Sequence, residues 1–180
     1  MVPSRWVFGY GSLIWRPAFE YAERAPAHVR GWERRFHQGS TDHRGTPEQP
    51  GRVVTLEPAD DSRCWGMAYR VEEAVWTRVV EGLDVRESGG YVRHRVQLTF
   101  AESSRETQDA EMYVAAAGNR NYLGPASIDA IARQVLRSEG PSGHNVEYVL
   151  ELQQALVTMG ADDAHVEALA ARVQQLRSGG

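Results

Sequence analysis

The chain has 180 residues, 42% of them apolar, and a formal net charge of −4. That length supports one well-buried core and is short for two, so a single domain over residues 1–180 is expected, and the apolar share excludes a disordered chain. The acidic balance excludes a global basic field that would draw the protein to nucleic acid or an anionic membrane.

All 20 basic residues are arginine. With no lysine, Schiff-base chemistry and a P-loop lysine are both unavailable. The single cysteine, Cys64, rules out an intrachain disulfide and a Cys-rich zinc site, and fits a reducing compartment. No stretch approaches the roughly 20 apolar residues of a membrane helix, and no basic segment followed by an apolar run opens the chain. A cytoplasmic protein without a membrane partner is expected.

In chain order, strands are expected at Trp6–Tyr10, His28–Trp32, Arg34–Gln38, Arg52–Glu57, Cys64–Val71, Tyr91–Phe100 and Glu111–Ala115. The alternation of His94, Val96, Leu98 and Phe100 with Arg93, Arg95, Gln97 and Thr99 places one face inward and one in water. Between strands, Val75, Val79, Val80 and Leu83 form a helical stripe. Ile128, Ile131, Val135 and Leu136 form another, with Ser127 as its N-cap and Gly140 as its stop, and Val166, Leu169, Val173 and Leu176 a third after Asp162 and Asp163. Gly124-Pro125 and Gly140-Pro141 read as turns that introduce helices. The polar stretch Gly39–Gly51 is the longest loop, of the kind that often forms a lid or binding segment. Strands first and helices last argue for an α+β fold rather than alternating βαβ units.

Two stretches invite chemistry. Phe8 to Trp15 reads F-G-Y-G-S-L-I-W: it lacks the third glycine of a dinucleotide fingerprint and the GK[ST] of a P-loop. Glycines at 9 and 11 can turn successive N–H groups toward one point, a nest suited to a carboxylate or oxyanion; the plain alternative is a tight turn leaving the first strand. Ser12 lies outside a G-x-S-x-G elbow and no His–Asp partners are signalled, and the six histidines show no ligand spacing. Cys64 reads as a packed core thiol. The second stretch, L-D-V-R-E-S-G-G-Y from Leu83 to Tyr91, sets Glu87 beside two glycines. Such a carboxylate is either a solvated charge or, if half-buried beside a ligand, a general base or acid.

Taken together and in order, F-G-Y-G-S-L-I-W-R-P, R-R-F-H-Q-G-S-T-D-H-R-G, P-G-R-V-V-T-L, L-D-V-R-E-S-G-G-Y, N-Y-L-G-P and G-P-S-G-H-N-V-E-Y resemble the ChaC-type γ-glutamylcyclotransferases, and D-x-H at Asp163–His165 extends the likeness. The resemblance implies a small mixed β-barrel wrapped by helices. It also implies a cytoplasmic enzyme that splits glutathione into 5-oxoproline and cysteinylglycine without metal or cofactor. Its substrate loop maps onto Val7, Phe8, Gly9, Tyr10, Gly11, Ser12 and Leu13, and its catalytic glutamate onto Glu87. Ser88 departs from the lysine or alanine of many members.

In this reaction the nucleophile is the substrate's own α-amine, so the protein must fold the substrate and move protons rather than supply a nucleophile. Tyr113, Tyr122 and Tyr148 are candidates for the pocket wall, and equally for half-buried aromatics. Arg35, His43 and Arg44, around the Gly39–Gly51 loop, are candidates for the cysteinylglycine half. Two alternatives stand beside this one: the same cyclisation on other γ-glutamyl amino acids or amines, and a non-catalytic ligand-binding module linked to ion transport.

Overall fold

The structure, a computed structural model, describes residues 4–179. Trp6, Val7 and Phe8 are all buried, so the first strand, β1 (Ser4–Gly9), is covered on both faces. It runs antiparallel to β3 (Gly51–Glu72) and parallel to β5 (Gln108–Ala115). With β2 (Glu23–Ser40) and β4 (Tyr91–Phe100), the strands close into a barrel in the order β1-β3-β2-β4-β5. The parallel β1–β5 pair makes the barrel mixed, as the resemblance implied. The described elements also include four α-helices, α1 (Glu73–Arg86), α2 (Ile128–Arg137), α3 (Asn145–Met159) and α4 (Ala164–Ser178), together with a 3-10 turn and a short two-stranded ribbon. None of the helices is long and apolar enough to cross a membrane.

Burial follows the expected periods. In β4, Leu98 and Phe100 are buried and His94 and Val96 partly so, while Arg93, Arg95 and Gln97 are exposed. In α1 the stripe of Val79, Val80 and Leu83 is buried and is joined by Trp76. Ser127 caps α2, its Oγ accepting from the Ala130 N–H at 3.2 Å. Cys64 is buried.

Two pairs of expected strands are single strands. His28–Trp32 and Arg34–Gln38 both lie in β2, and Arg52–Glu57 and Cys64–Val71 both lie in β3. Gly31 (φ 77°) and Asp61 (φ 62°) place one left-handed residue in each strand. Pro58, Asp60, Asp61 and Ser62 look like a turn in sequence, yet the strand runs on through them. The α2 helix ends at Arg137 with Ser138 as its C-cap, earlier than the expected stop at Gly140. Gly140 instead pairs with Gly143 in a two-stranded ribbon, and a Cβ on it would lie 2.4 Å from the His43 carbonyl oxygen.

The chain resolves into two compact units. One holds the residues up to Glu33 with Leu56–Ala116, the other Arg34–Thr55 with Ala117 onward. In the second unit, α2, α3 and α4 pack on one another, and polar locks tie the helices to the strand ends. Asn145, fully buried, accepts from the Arg52 N–H at 2.7 Å and donates to the Arg52 carbonyl at 2.9 Å. The Arg52 guanidinium donates to the Phe36 and Gly124 carbonyls and to Gln134. Arg34, also buried, donates to Asp163 Oδ2 at 2.6 Å, while Asp163 Oδ1 caps α4 through the Val166 N–H. Nε2 of His165 accepts from the Phe36 N–H at 3.1 Å.

Two outcomes are expected. Asn145→Ala strands the Arg52 amide and carbonyl in the interior, and should cost about 2–6 kcal/mol, at about 1–3 kcal/mol per unpaired buried group; the drop is measured by urea unfolding. For His165, burial first and the Arg35 charge second push the ring's pKa down to about 4. The unfolded chain takes up its proton near pH 6.5 while the folded ring refuses it, so stability should fall as pH drops from about 6.5 to 4, by at most about 1.4 kcal/mol per pH unit from this group. In His165→Gln, whose amide oxygen can still accept the Phe36 N–H, that fall should be shallower when midpoints are compared across the window.

Candidate active site

The end of β1 leads straight into a short 3-10 turn, Ser12–Ile14. Gly9 is needed there because a Cβ would lie 2.5 Å from Leu13 Cβ. The turn is closed by the Ile14 N–H on the Gly11 carbonyl and by the Trp15 and Arg16 N–H groups on the Ser12 carbonyl. None of the hydrogen bonds described for the loop uses the N–H groups of Gly11, Ser12 or Leu13.

Side chains bolt the turn in place. The Tyr69 hydroxyl donates to the Leu13 carbonyl at 2.6 Å and reaches the Ile14 carbonyl at 3.0 Å; burial pushes its pKa up to about 12, so it remains a donor. Tyr10 donates to the Tyr113 carbonyl at 2.6 Å. Val7 and Leu13 are buried in one apolar cluster with Val71, Trp76, Leu83 and Tyr113. Of the seven expected loop residues, Val7, Phe8, Tyr10 and Leu13 therefore spend their side chains on packing. What the loop offers outward is its main chain.

The same cluster carries the second stretch. Glu87 is the C-cap of α1, its N–H bonded to the Leu83 carbonyl at 2.8 Å, and its carbonyl accepts from the Tyr91 N–H. Gly90, at φ 114°, turns the chain into β4 in a conformation that L side chains rarely adopt. The Glu87 side chain is 18% exposed, with Oε1 3.7 Å from Arg86 Nε. It is thus a half-buried carboxylate rather than a solvated surface charge. One turn earlier, Asp84 Oδ1 accepts from the Tyr113 hydroxyl at 2.6 Å. Burial above all, and then this bond, hold the Tyr113 phenol well above its ordinary pKa, with a smaller contribution from the Glu87 charge.

Ser12 Oγ is taken by Arg86 Nη2 at 2.8 Å. A guanidinium partner cannot act as a base, so Ser12 has no activation as a nucleophile here.

The remaining expected site residues belong to the second unit. Arg44 donates to the His144 carbonyl and to Glu147, and its guanidinium lies over the Tyr148 ring. His43 pairs with Ser142, and Arg35 donates to the Arg34 carbonyl. The Tyr148 hydroxyl accepts from the Val54 N–H, and Tyr122 bridges to Gln38 through its backbone. The Gly39–Gly51 segment is pinned rather than loose: Arg44 N–H donates to Ser40 Oγ, and Ser40 and Arg44 are buried. Tyr69 was not foreseen, since nothing in M-A-Y-R distinguishes it from a core aromatic. Arg86 carried one signal, its position against Glu87.

A family model described as ChaC-like protein matches residues 5–176. The chain belongs to the ChaC-like family. It is 44% identical to the human glutathione-specific γ-glutamylcyclotransferase 1, over 91% of this chain and 76% of that one. It is 42% identical to γ-glutamylcyclotransferase 2-3 of Arabidopsis thaliana, over 97% and 91% of the two chains. The crystal structure of a yeast γ-glutamyl cyclotransferase specific to glutathione superposes with a TM-score of 0.91 at 32% identity, covering 98% of both chains.

The Tyr69 bonds yield a test. Tyr69→Phe keeps the ring and removes the donor from the Leu13 and Ile14 carbonyls, so stability should fall by about 1–3 kcal/mol and the loop should loosen. Faster hydrogen exchange at residues 11–16, measured by mass spectrometry, is the expected sign; an unchanged loop would mean the apolar cluster alone holds it.

Proposed function

We propose that this ChaC-like protein cyclises the γ-glutamyl group of glutathione, releasing 5-oxoproline and cysteinylglycine, with Glu87 as the proton-transferring group. The observation that carries the site assignment is the pairing of a half-buried carboxylate with a main-chain nest on one apolar cluster.

The substrate's α-amine attacks its own side-chain carbonyl carbon. A C–N bond closes the five-membered ring, and the bond from that carbon to the cysteine nitrogen breaks. Well-oriented ring closures of this kind gain about 7–11 kcal/mol from orientation alone, so holding the floppy γ-glutamyl chain folded is the larger task. The N–H groups of Gly11, Ser12 and Leu13 are suited to the substrate α-carboxylate or to the oxyanion that forms on the attacked carbonyl, where a donor can contribute about 2.7–4 kcal/mol. Glu87 takes a proton from the attacking amine and returns it to the departing nitrogen, so no net proton, water or cofactor is consumed. A neutral Tyr113 hydroxyl engaged with Asp84 keeps a phenolate charge away from that carboxylate. Glutathione as substrate and a reducing environment for Cys64 both fit the cytoplasm.

Purified protein incubated with glutathione and, separately, with γ-glutamylalanine should release 5-oxoproline from glutathione by far the faster. Comparable release from both would broaden the substrate class, and release from neither would leave a binding module. Glu87→Gln should fold with an unchanged thermal midpoint and lose about 10²- to 10⁴-fold in kcat, the range of a missing general base. Near-normal turnover in that variant would move the base elsewhere.

A further inference from the structure

We infer that Arg86 is a positioning residue for the ring closure, a fork that sets the substrate loop against the base. The inference rests on the reading of Glu87 as that base. Arg86 closes the last turn of α1, directly before Glu87, and its side chain is 24% exposed.

The guanidinium spans three pieces of chain. Nη2 donates to Ser12 Oγ at 2.8 Å, at the start of the 3-10 turn. Nη1 donates to the Arg16 and Pro17 carbonyls, at 3.1 and 3.3 Å, where the chain leaves that turn. Nε lies 3.7 Å from Glu87 Oε1. One planar group thus grips both ends of the segment whose amides at 11–13 are unspent, and touches the carboxylate that must work against whatever those amides hold. A guanidinium offers five donors in a fixed fork, whereas an ammonium would act as a single point charge and could not hold the same set of partners. The position of Arg86 at the C-terminal end of α1 is favourable to a cation and helps to keep it there.

A merely structural arginine would predict a different result on removal: lower stability, with catalysis following the folded fraction. A positioning arginine predicts that substrate still binds the loop amides but sits off line from the base. A misplacement of about 1 Å can cost about 100-fold in rate, so kcat should fall while KM changes little. Arg86 also lines a cavity of about 370 Å³ with Pro17, Phe19, Val79 and Leu83, which gives small solutes a path to the vacated place.

The experiment measures 5-oxoproline release from glutathione by wild type, Arg86→Ala, Arg86→Lys and Glu87→Gln, each with and without added guanidinium, beside thermal midpoints. Expected are a kcat about 100-fold lower in Arg86→Ala with KM nearly unchanged, at least partial recovery by guanidinium in that variant alone, and a persistent deficit in Arg86→Lys. Normal kcat in Arg86→Ala, full activity in Arg86→Lys, or a loss that guanidinium does not relieve overturns the inference. If Arg86→Ala does not fold, the kcat of Arg86→Lys decides. A wild type that makes no 5-oxoproline, or a Glu87→Gln that turns over normally, fails the underlying reading instead.

Discussion

Leu13 is buried in the same apolar cluster as Leu83 and Tyr113, and the candidate site depends on that shared core. The loop whose amides at 11–13 enter no described hydrogen bond and the helix capped by Glu87 are far apart in sequence. Neither could hold its place alone: a three-residue turn has almost no stability of its own, and the end of a helix frays. Packing Leu13 and Val7 against α1 converts two marginal pieces into one rigid surface. Polar bonds then refine what the cluster fixes, through Tyr69 on the Leu13 and Ile14 carbonyls, Tyr10 on the Tyr113 carbonyl and Arg86 on Ser12.

This arrangement matches the demands of a reaction that carries its own nucleophile. Where the substrate supplies both the amine and the carbonyl, a lysine, a reactive thiol or an activated serine is unnecessary. The sequence has no lysine; Cys64 is packed in the interior, and Ser12 is held by a cation. What remains is geometry and one mobile proton. The buried hydroxyls nearby, Tyr69 and Tyr113, have their pKa values raised. They stay neutral donors, suited to holding geometry rather than to moving protons.

Much of this was legible in the residues, for identifiable reasons. Period-two burial in Tyr91–Phe100 and the 3.6 period in α1 are enforced by the barrel wall and the apolar cluster, so pattern and structure agree. The merging of paired strands into β2 and β3 was hidden, because Pro58 and Asp61 carry turn chemistry, and although Asp61 is left-handed the strand continues through both. In the loop the glycines drew notice, yet Gly9 answers first to the contact with Leu13 rather than to a ligand's need for room. The hydroxyl of Tyr69 and the fork of Arg86 were hidden for another reason: their partners are backbone carbonyls and a serine oxygen, which leave no spacing in a sequence.

Motif strength and membership of a site are therefore separate properties. G-H-N-V-E-Y is among the most distinctive stretches in the chain, and in the second unit each of its polar members has a partner there. Asn145 clasps both backbone groups of Arg52, Glu147 accepts from Arg44, and the Tyr148 hydroxyl accepts from the Val54 N–H. Likewise D-x-H supplies the partner of a buried arginine and the acceptor for the Phe36 N–H. A buried polar group without a partner costs about as much as several methylenes gain, so such locks tolerate little substitution whatever the chemistry. The loop at Gly9–Leu13 behaves oppositely: its side chains are engaged in packing, and its value for a ligand lies in main-chain N–H groups that any sequence could supply, provided the turn beneath them is held.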